Sequence, residues 1–318
     1  MNSVVANATR GNITVSRGLK STAKFNCRDA AKRLIKNAFF DNPVTKNLPY
    51  FTIQFMRNIL AIYRRELGSY FASPIAYIVI GVFLSITGLL FYYGIFSQII
   101  QQVMQYRMQA QQQGQSGDID IPSILIQQLM GFAATVSLFM IPMLTMGSYA
   151  EEKKRGTMEM LMTSPITELQ IVLGKYFAGL TVFSIMMAPT IIYHLFIAKY
   201  SDPSFPWRIM WASYLGILLL GSVLIAIGTF ISSLTENQIV AAVVTFAIAL
   251  FLWIINSLSS NAGTTVGKIL NYLSVIRHYQ DFTSGMIDTT SLVFYVTLTI
   301  LALFLTWLSL NSMRWRRA

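Results

Sequence analysis

Long apolar stretches, separated by short polar segments, organise the chain from residue 75 onward. A helix needs about 20 apolar residues to cross the hydrocarbon core of a bilayer. Six stretches meet this length and are almost free of charge, so we predict an all-α membrane protein with six transmembrane helices. Pro142 and Pro189 predict kinks in the second and third. The predicted spans are residues 75–96, 124–149, 169–198, 209–231, 239–255 and 291–310.

The cations between these spans predict the orientation of the chain. Lys and Arg accumulate in the cytoplasmic segments of multi-pass proteins. Six spans with both termini in the cytoplasm satisfy this bias. The cytoplasmic segments then carry Arg57, Arg64, Arg65, Lys153, Lys154, Arg155, Arg314, Arg316 and Arg317, and the outer loops carry Arg107, Lys199, Arg208, Lys268 and Arg277.

A charged amphipathic helix is predicted directly before the first span. The apolar side chains of residues 59–71 recur at helical spacing, while Arg57, Arg64, Arg65 and Glu66 lie on the other side. Such a helix lies flat on the cytoplasmic face of a membrane. We call it the entry helix.

Residues 1–55 differ from the rest of the chain in composition and are assigned to a basic N-terminal extension. They contain nine Lys and Arg, two Asp and no apolar stretch of spanning length. The extension is interpreted as disordered, or as the product of a misassigned start with Met56 as the true first residue. A basic helix on an anionic membrane surface and an organelle transit peptide remain alternatives. The membrane domain is then residues 56–318.

Composition supports the membrane class and excludes several others. Hydrophobic residues make up 54% of the chain and charged residues 12%, about half the charged fraction of a soluble domain. Half of the Lys and Arg lie before residue 74 and the rest cluster at the edges of apolar stretches, a distribution that indicates a bilayer rather than nucleic acid as the partner of the +11 net charge. One cysteine excludes an internal disulfide framework, and two histidines are too few for a histidine-based metal cluster.

The charged insert between the second and third spans is the strongest candidate for a functional site. Residues 149–178 cannot lie in hydrocarbon, so a soluble partner can reach them. Gly156 permits a sharp turn, and Thr157 can cap a short helix with the sequence MEMLM, residues 158–162. Ser164 and Pro165 predict the start of the next helix.

The spans offer no chemistry for an enzyme or for an ion-driven carrier. They contain no Asp or Glu well inside the apolar stretches, where ion-coupled carriers place such groups. Residues 263–269 resemble a phosphate loop, but the glycine spacing is short by one and Ile269 stands where Ser or Thr is required. We therefore predict that ATP, if used, is hydrolysed by a partner chain, and we predict no cofactor.

The segment 151–179, EEKKRGTMEMLMTSPITELQIVLGKYFAG, resembles the corresponding segment of type-2 ABC exporter permeases. That family reads E-x-x-x-x-G-T-x-E-x-L-L-T-x-P, followed by a hydrophobic stretch with L-G-K. The resemblance extends over about Met56 to Arg317, and residues 277–289 are most similar to the gliding-motility-type permease group. The matching residues are Glu151, Gly156, Thr157, Glu159, Leu161, Thr163, Pro165, Leu173, Gly174 and Lys175.

The resemblance implies a permease subunit of an ABC exporter in a bacterial inner membrane. It would pair with a second copy or a sister permease and bind two copies of an ABC ATPase subunit. The short helix at 157–163 would be the coupling helix, with polar contacts from Glu151, Glu152, Lys153 and Arg155. Arg64 and Arg65 of the entry helix would provide a second contact.

Two further expectations follow from the segment. A non-transport scaffold or anchor of an envelope or gliding-type ATPase complex remains the alternative function. Glu151 and Glu152 are expected to be exposed, so reversal of their charges should uncouple the complex and leave folding intact.

Overall fold

The structure is a computed structural model that describes residues 43–97, 120–163, 166–201, 205–259 and 272–315, together with residues 101, 104, 105 and 108. By its contacts the chain divides after Gln54, and the fold below is that of the unit from Phe55 to Ala318. Outside the described residues lie most of the predicted N-terminal extension, most of the loop after the first span, Pro165, residues 263–269, Arg316 and Arg317.

All regular structure in the described ranges is helical. The first part of the chain forms α1 (Pro43–Ala72), α2 (Pro74–Leu89), α3 (Ile121–Thr145), α4 (Gly147–Lys154) and α5 (Thr157–Thr163). The rest forms α6 (Glu168–Met187), α7 (Ile191–Lys199), α8 (Trp207–Leu234), α9 (Gln238–Ser259), α10 (Val275–Thr283) and α11 (Thr289–Trp315). The entry helix is part of α1, which begins at Pro43 and so before the predicted start.

Six helical segments of the described chain are long and apolar enough to span a membrane, which confirms the predicted number. Each overlaps one predicted span, and the ends differ by a few residues because charged residues continue some helices beyond the apolar stretch. The segments are Pro74–Tyr93, Ile121–Lys154, Glu168–Lys199, Trp207–Leu234, Gln238–Ile255 and Thr289–Arg314.

Three of these segments depart from continuous α-helix. A π-helical segment, Leu90–Phe96, extends α2 and was not predicted. In the second span α3 continues through Pro142, and the interruption comes at Met146, before α4. In the third span a 3-10 turn, Ala188–Thr190, contains Pro189 at the predicted position.

The N-cap of the helix that forms the third span was wrongly predicted, whereas the span itself begins at Glu168, one residue before the predicted position. Ile166 and Thr167 are not helical, and α6 begins at Glu168. The N-cap is Thr167 rather than Ser164, because the Gln170 side chain accepts a hydrogen bond from the Thr167 backbone N–H at 3.1 Å and completes a capping box.

Helix α8 is the centre of the bundle. It packs against α3, α4, α6, α9, α10 and α11, and 78% of its spanning window is buried. Glycines allow the close approach: a Cβ on Gly221 would lie 2.2 Å from the Phe183 ring of α6, and one on Gly228 would lie 2.1 Å from Thr145 Oγ1 of α3. The glycines of α8 therefore make room for side chains of neighbouring helices.

The charged parts of the first and last helices lie at the same end of the bundle. Arg65 of α1 pairs with Glu152 of α4, and Arg314 of α11 pairs with Glu168 at the start of α6. We call this the polar end. The side of the membrane that it faces stays a prediction.

Candidate functional site

The charged insert leaves α3, turns and returns through α6, with a short helix between. Gly156 has φ +71°, a left-handed conformation that glycine adopts without strain, and it separates α4 from α5. Thr157 begins α5, and its hydroxyl donates to the Glu152 carbonyl at 3.3 Å. A short helix was predicted here with Thr157 as its cap; in the structure Thr157 is the first helical residue and the helix extends to Thr163.

One side of α5 packs against the bundle and the other is exposed. Met158 is buried in a small apolar cluster with Ile62 of α1 and Leu310 of α11, and Leu161 packs against the same cluster. Met160 is 75% exposed, the highest value among the large apolar side chains of the described chain. Thr157, Glu159 and Thr163 are exposed beside it.

A buried lysine connects this insert to the entry helix. Lys175 of α6 is 3% exposed, and its Nζ lies 2.9 Å from Glu66 Oε1 of α1 and 3.1 Å from Glu152 Oε1 of α4. It also donates to the Ser148 carbonyl at 2.8 Å. Arg65 approaches Glu152 at 3.4 Å. We call these five residues the Lys175 cluster.

The cluster balances two cations with two carboxylates. A buried charge is costly unless it is paired and hydrogen-bonded, and here Lys175 has three oxygen partners. Glu66 and Glu152 are only 13% and 14% exposed, so each depends on the lysine in turn. The arrangement holds α1, α4 and α6 together at the polar end.

Two further contacts fix the entry helix against the spans. Gly174 lies under Ile62 of α1, where a Cβ would come within 2.7 Å of Ile62 Cγ2. Tyr70 of α1 lies 3.4 Å from both the Leu144 carbonyl and Ser148 Oγ. Burial raises the pKa of Tyr70 to about 12, so the phenol stays neutral and can donate.

Helix α4 is also attached to the central helix α8. Ser232 Oγ accepts from the backbone N–H groups of Tyr149 and Ala150 at 3.0 and 3.1 Å and donates to the Met146 carbonyl at 2.9 Å. The Lys153 ammonium donates to the Ser233 carbonyl. Movement of α4 therefore reaches α8 directly.

The expectation that Glu151 and Glu152 are both exposed is wrong for Glu152. The Glu151 side chain is 41% exposed and pairs with Arg155 one turn later. Glu152 is largely buried because it faces Lys175. Reversal of its charge would place a second cation beside the lysine, so we now expect this change to disturb folding.

The structure brings together only part of the predicted site. Arg65, Glu66 and Glu152 meet around Lys175, and α5 is joined to this cluster by the hydrogen bond from Thr157 to the Glu152 carbonyl. Arg57 and Arg64 are exposed on α1, away from this cluster. Pro165 lies outside the described residues.

Reasoning from single residues missed the role of Lys175, which was noted only as part of the L-G-K match. The available signal was its position, since a lone lysine inside an apolar span needs a buried partner. Ser148 and Ser232 offered no such signal, because small polar residues are common in transmembrane helices. Within the described part of the chain, no group of three or more His, Cys, Asp or Glu could hold a metal ion.

Comparison with known proteins identifies the family of the chain. Among curated proteins, no match to the chain is found. The family model described as "ABC-2 family transporter protein" matches residues 60–312, which is most of the chain and includes α5 and the Lys175 cluster. The chain therefore belongs to the ABC-2 transporter family, as a multi-pass integral membrane permease component of an ABC transporter.

Proposed function

We propose that the chain is the transmembrane permease subunit of an ABC exporter in a bacterial inner membrane. ATP is hydrolysed by a separate ATPase subunit, of which two copies bind the polar end from the cytoplasm. The α5 helix is the coupling helix, and its exposed side around Met160 docks on the ATPase.

The Lys175 cluster is the observation that carries this proposal. A coupling helix must transmit a displacement from the ATPase to the spans, which a flexible loop would not do. Through Lys175, Glu152 of α4 contacts both α1 and α6, and Ser232 attaches α4 to α8. Displacement of α5 would therefore move several helices together, as alternating packings of the spans require.

A second permease copy, or a sister permease, completes the transporter. Only 28% of the first spanning window and 22% of the fifth are buried within the described chain. These exposed apolar faces suit lipid and a second permease. Residues 277–289 are the support for the narrower gliding-motility-type assignment.

Copurification tests the proposal. The full chain is purified in mild detergent from its native host, and the proteins that accompany it are identified by mass spectrometry. We expect wild type and Met286→Asp to retain a chain with a phosphate-binding loop, and Met160→Asp to lose it. Met286 is the matched control, because it is 58% exposed and lies next to α10, away from the polar end.

Three outcomes would count against parts of the proposal. An ATPase-free wild-type preparation would contradict the partner, and an ATPase retained by Met160→Asp would place the docking surface elsewhere. A complex whose ATP hydrolysis responds to no exported compound would favour the scaffold function instead.

A further inference from the structure

Helix α10 lies at the end of the bundle opposite the polar end and is wedged between the spans. It follows α9, whose first residue, Gln238, lines a cavity with Glu66 and Glu151 at the polar end. Tyr279 of α10 donates to the Met130 carbonyl of α3 at 2.9 Å. Phe282 lies so close to Gly216 of α8 that a Cβ there would be 2.6 Å away.

A short polar chain joins α10 to the start of α11. Ser291 Oγ lies 2.8 Å from Asp281 Oδ2 and 2.9 Å from His278 Nδ1. The other ring nitrogen, His278 Nε2, lies 3.0 Å from the Tyr272 carbonyl. Ser291 is completely buried and His278 is 6% exposed, so water competes poorly for these contacts.

The three contacts need three protons. The Tyr272 carbonyl can only accept, so His278 Nε2 must carry hydrogen. Ser291 has one hydroxyl hydrogen and can donate it to one partner only. If it donates to Asp281, His278 Nδ1 must carry a hydrogen and donate to Ser291. If it donates to His278 Nδ1, Asp281 must be protonated and donate to Ser291. A neutral histidine with an ionised aspartate supplies only two protons in all, which leaves two acceptors facing each other without hydrogen.

The surroundings suit a cationic imidazole. The Phe294 ring stacks on His278 with centroids 4.3 Å apart, and aromatic faces attract cations. Burial raises the pKa of Tyr279, so that phenol stays neutral near pH 7. In and beside α10, the other charged or titratable side chains are Tyr272, Arg277, Tyr279, Asp281 and Asp288. At the same end of the bundle, α11 contributes Tyr295, and α8 contributes Arg208 and Tyr214. Of these, Arg208, Arg277 and Asp288 are charged and exposed.

We propose that His278, Ser291 and Asp281 form a proton-dependent latch between α10 and α11. With three protons bound, all three hydrogen bonds form and α10 is held to α11. Loss of one proton removes a hydrogen bond and loosens α10. Because the number of protons bound by the three residues depends on pH, the strength of the latch depends on pH as well.

Thermal unfolding of the purified full chain tests the latch at pH values from 5 to 8.5. We expect the wild-type melting temperature to fall with rising pH by about 1–2 °C, as for loss of one hydrogen bond in a chain of this size. Asp281→Asn should abolish this slope and stay at the low-pH level. Its amide N–H supplies the third proton permanently, which lets Ser291 donate to a neutral His278.

The controls separate the latch from other titrating groups. Asp288→Asn removes an exposed carboxylate near the same end and leaves the three latch residues intact. It should keep the wild-type slope, whereas the melting temperature of Ser291→Ala should be low and independent of pH. A flat wild-type profile, an unchanged slope in Asp281→Asn, or a slope lost in Asp288→Asn would overturn the proposal. The measurement needs no ATPase, so it is independent of the proposed function.

Discussion

Lys175 holds one positive charge between two carboxylates in a place that water barely reaches. Its side chain is 2% exposed, and Glu66 and Glu152 share it. Removal of the lysine leaves two negative charges close together and largely buried. Loss of one partner of a buried ion pair usually destabilises a protein strongly, because the remaining charge is not compensated.

We therefore predict that Lys175→Met destabilises the permease by about 3–5 kcal/mol. The measurement is thermal unfolding of the purified chain in detergent, with the yield of folded protein from membranes as a second readout. Lys154→Met is the matched control, since Lys154 lies in the same segment but is exposed. Equal melting temperatures for the two variants would contradict the buried pairing.

The glycines of α8 determine how closely its neighbours approach. Gly228 faces Thr145 of α3, next to the Met146 interruption that Ser232 holds by hydrogen bonds. A side chain at this position would push α3 and α4 away from the central helix. The same substitution in an open part of α3 has no such effect, because nothing lies within 4 Å of a Cβ built on Gly131.

Gly228→Ala is expected to cost about 1–3 kcal/mol through overpacking, whereas Gly131→Ala should be neutral or slightly stabilising. Thermal unfolding of the two variants measures the difference. Addition of Thr145→Ala to Gly228→Ala should restore part of the loss, because the hydroxyl and methyl groups in conflict are then absent, while the Cβ of residue 145 stays 2.7 Å from the added Cβ. A double variant no more stable than Gly228→Ala would show that the contact is not the cause.

At the level of the complete chain, the two ends of the bundle should face opposite sides of the membrane. The polar end contains α5 and the charged ends of α1 and α11, while α10 lies at the other end. The distribution of Lys and Arg predicts that the polar end is cytoplasmic.

Cysteine labelling in intact cells tests this orientation. The single cysteine is first removed by Cys27→Ser, and Met160→Cys or Met286→Cys is then introduced at an exposed position. A membrane-impermeant maleimide should label position 286 in intact cells and position 160 only after the membrane is opened. The reverse pattern would invert the topology and remove the ATPase from the polar end.

Much of the fold could be predicted because its signals are local. Each span is a continuous apolar stretch, and the bounds of α5 follow from Gly156 and Thr157 on one side and the end of the apolar pattern on the other. The Lys175 cluster could not be predicted in this way. Lys175 and Glu66 are 109 residues apart, and no local pattern indicates which carboxylates a buried lysine will meet.

The sequence by itself determined the class of protein and the number of spans, because hydrophobicity acts residue by residue on membrane insertion. Only the tertiary structure decided which spans are central. Helices α8 and α9 are both strongly apolar, yet 78% of the spanning window of α8 is buried and only 22% of that of α9. Lipid and protein interiors are alike in polarity, so hydropathy does not show whether a span faces lipid or other helices. The close contacts of Gly221 and Gly228 with neighbouring helices show that α8 is central.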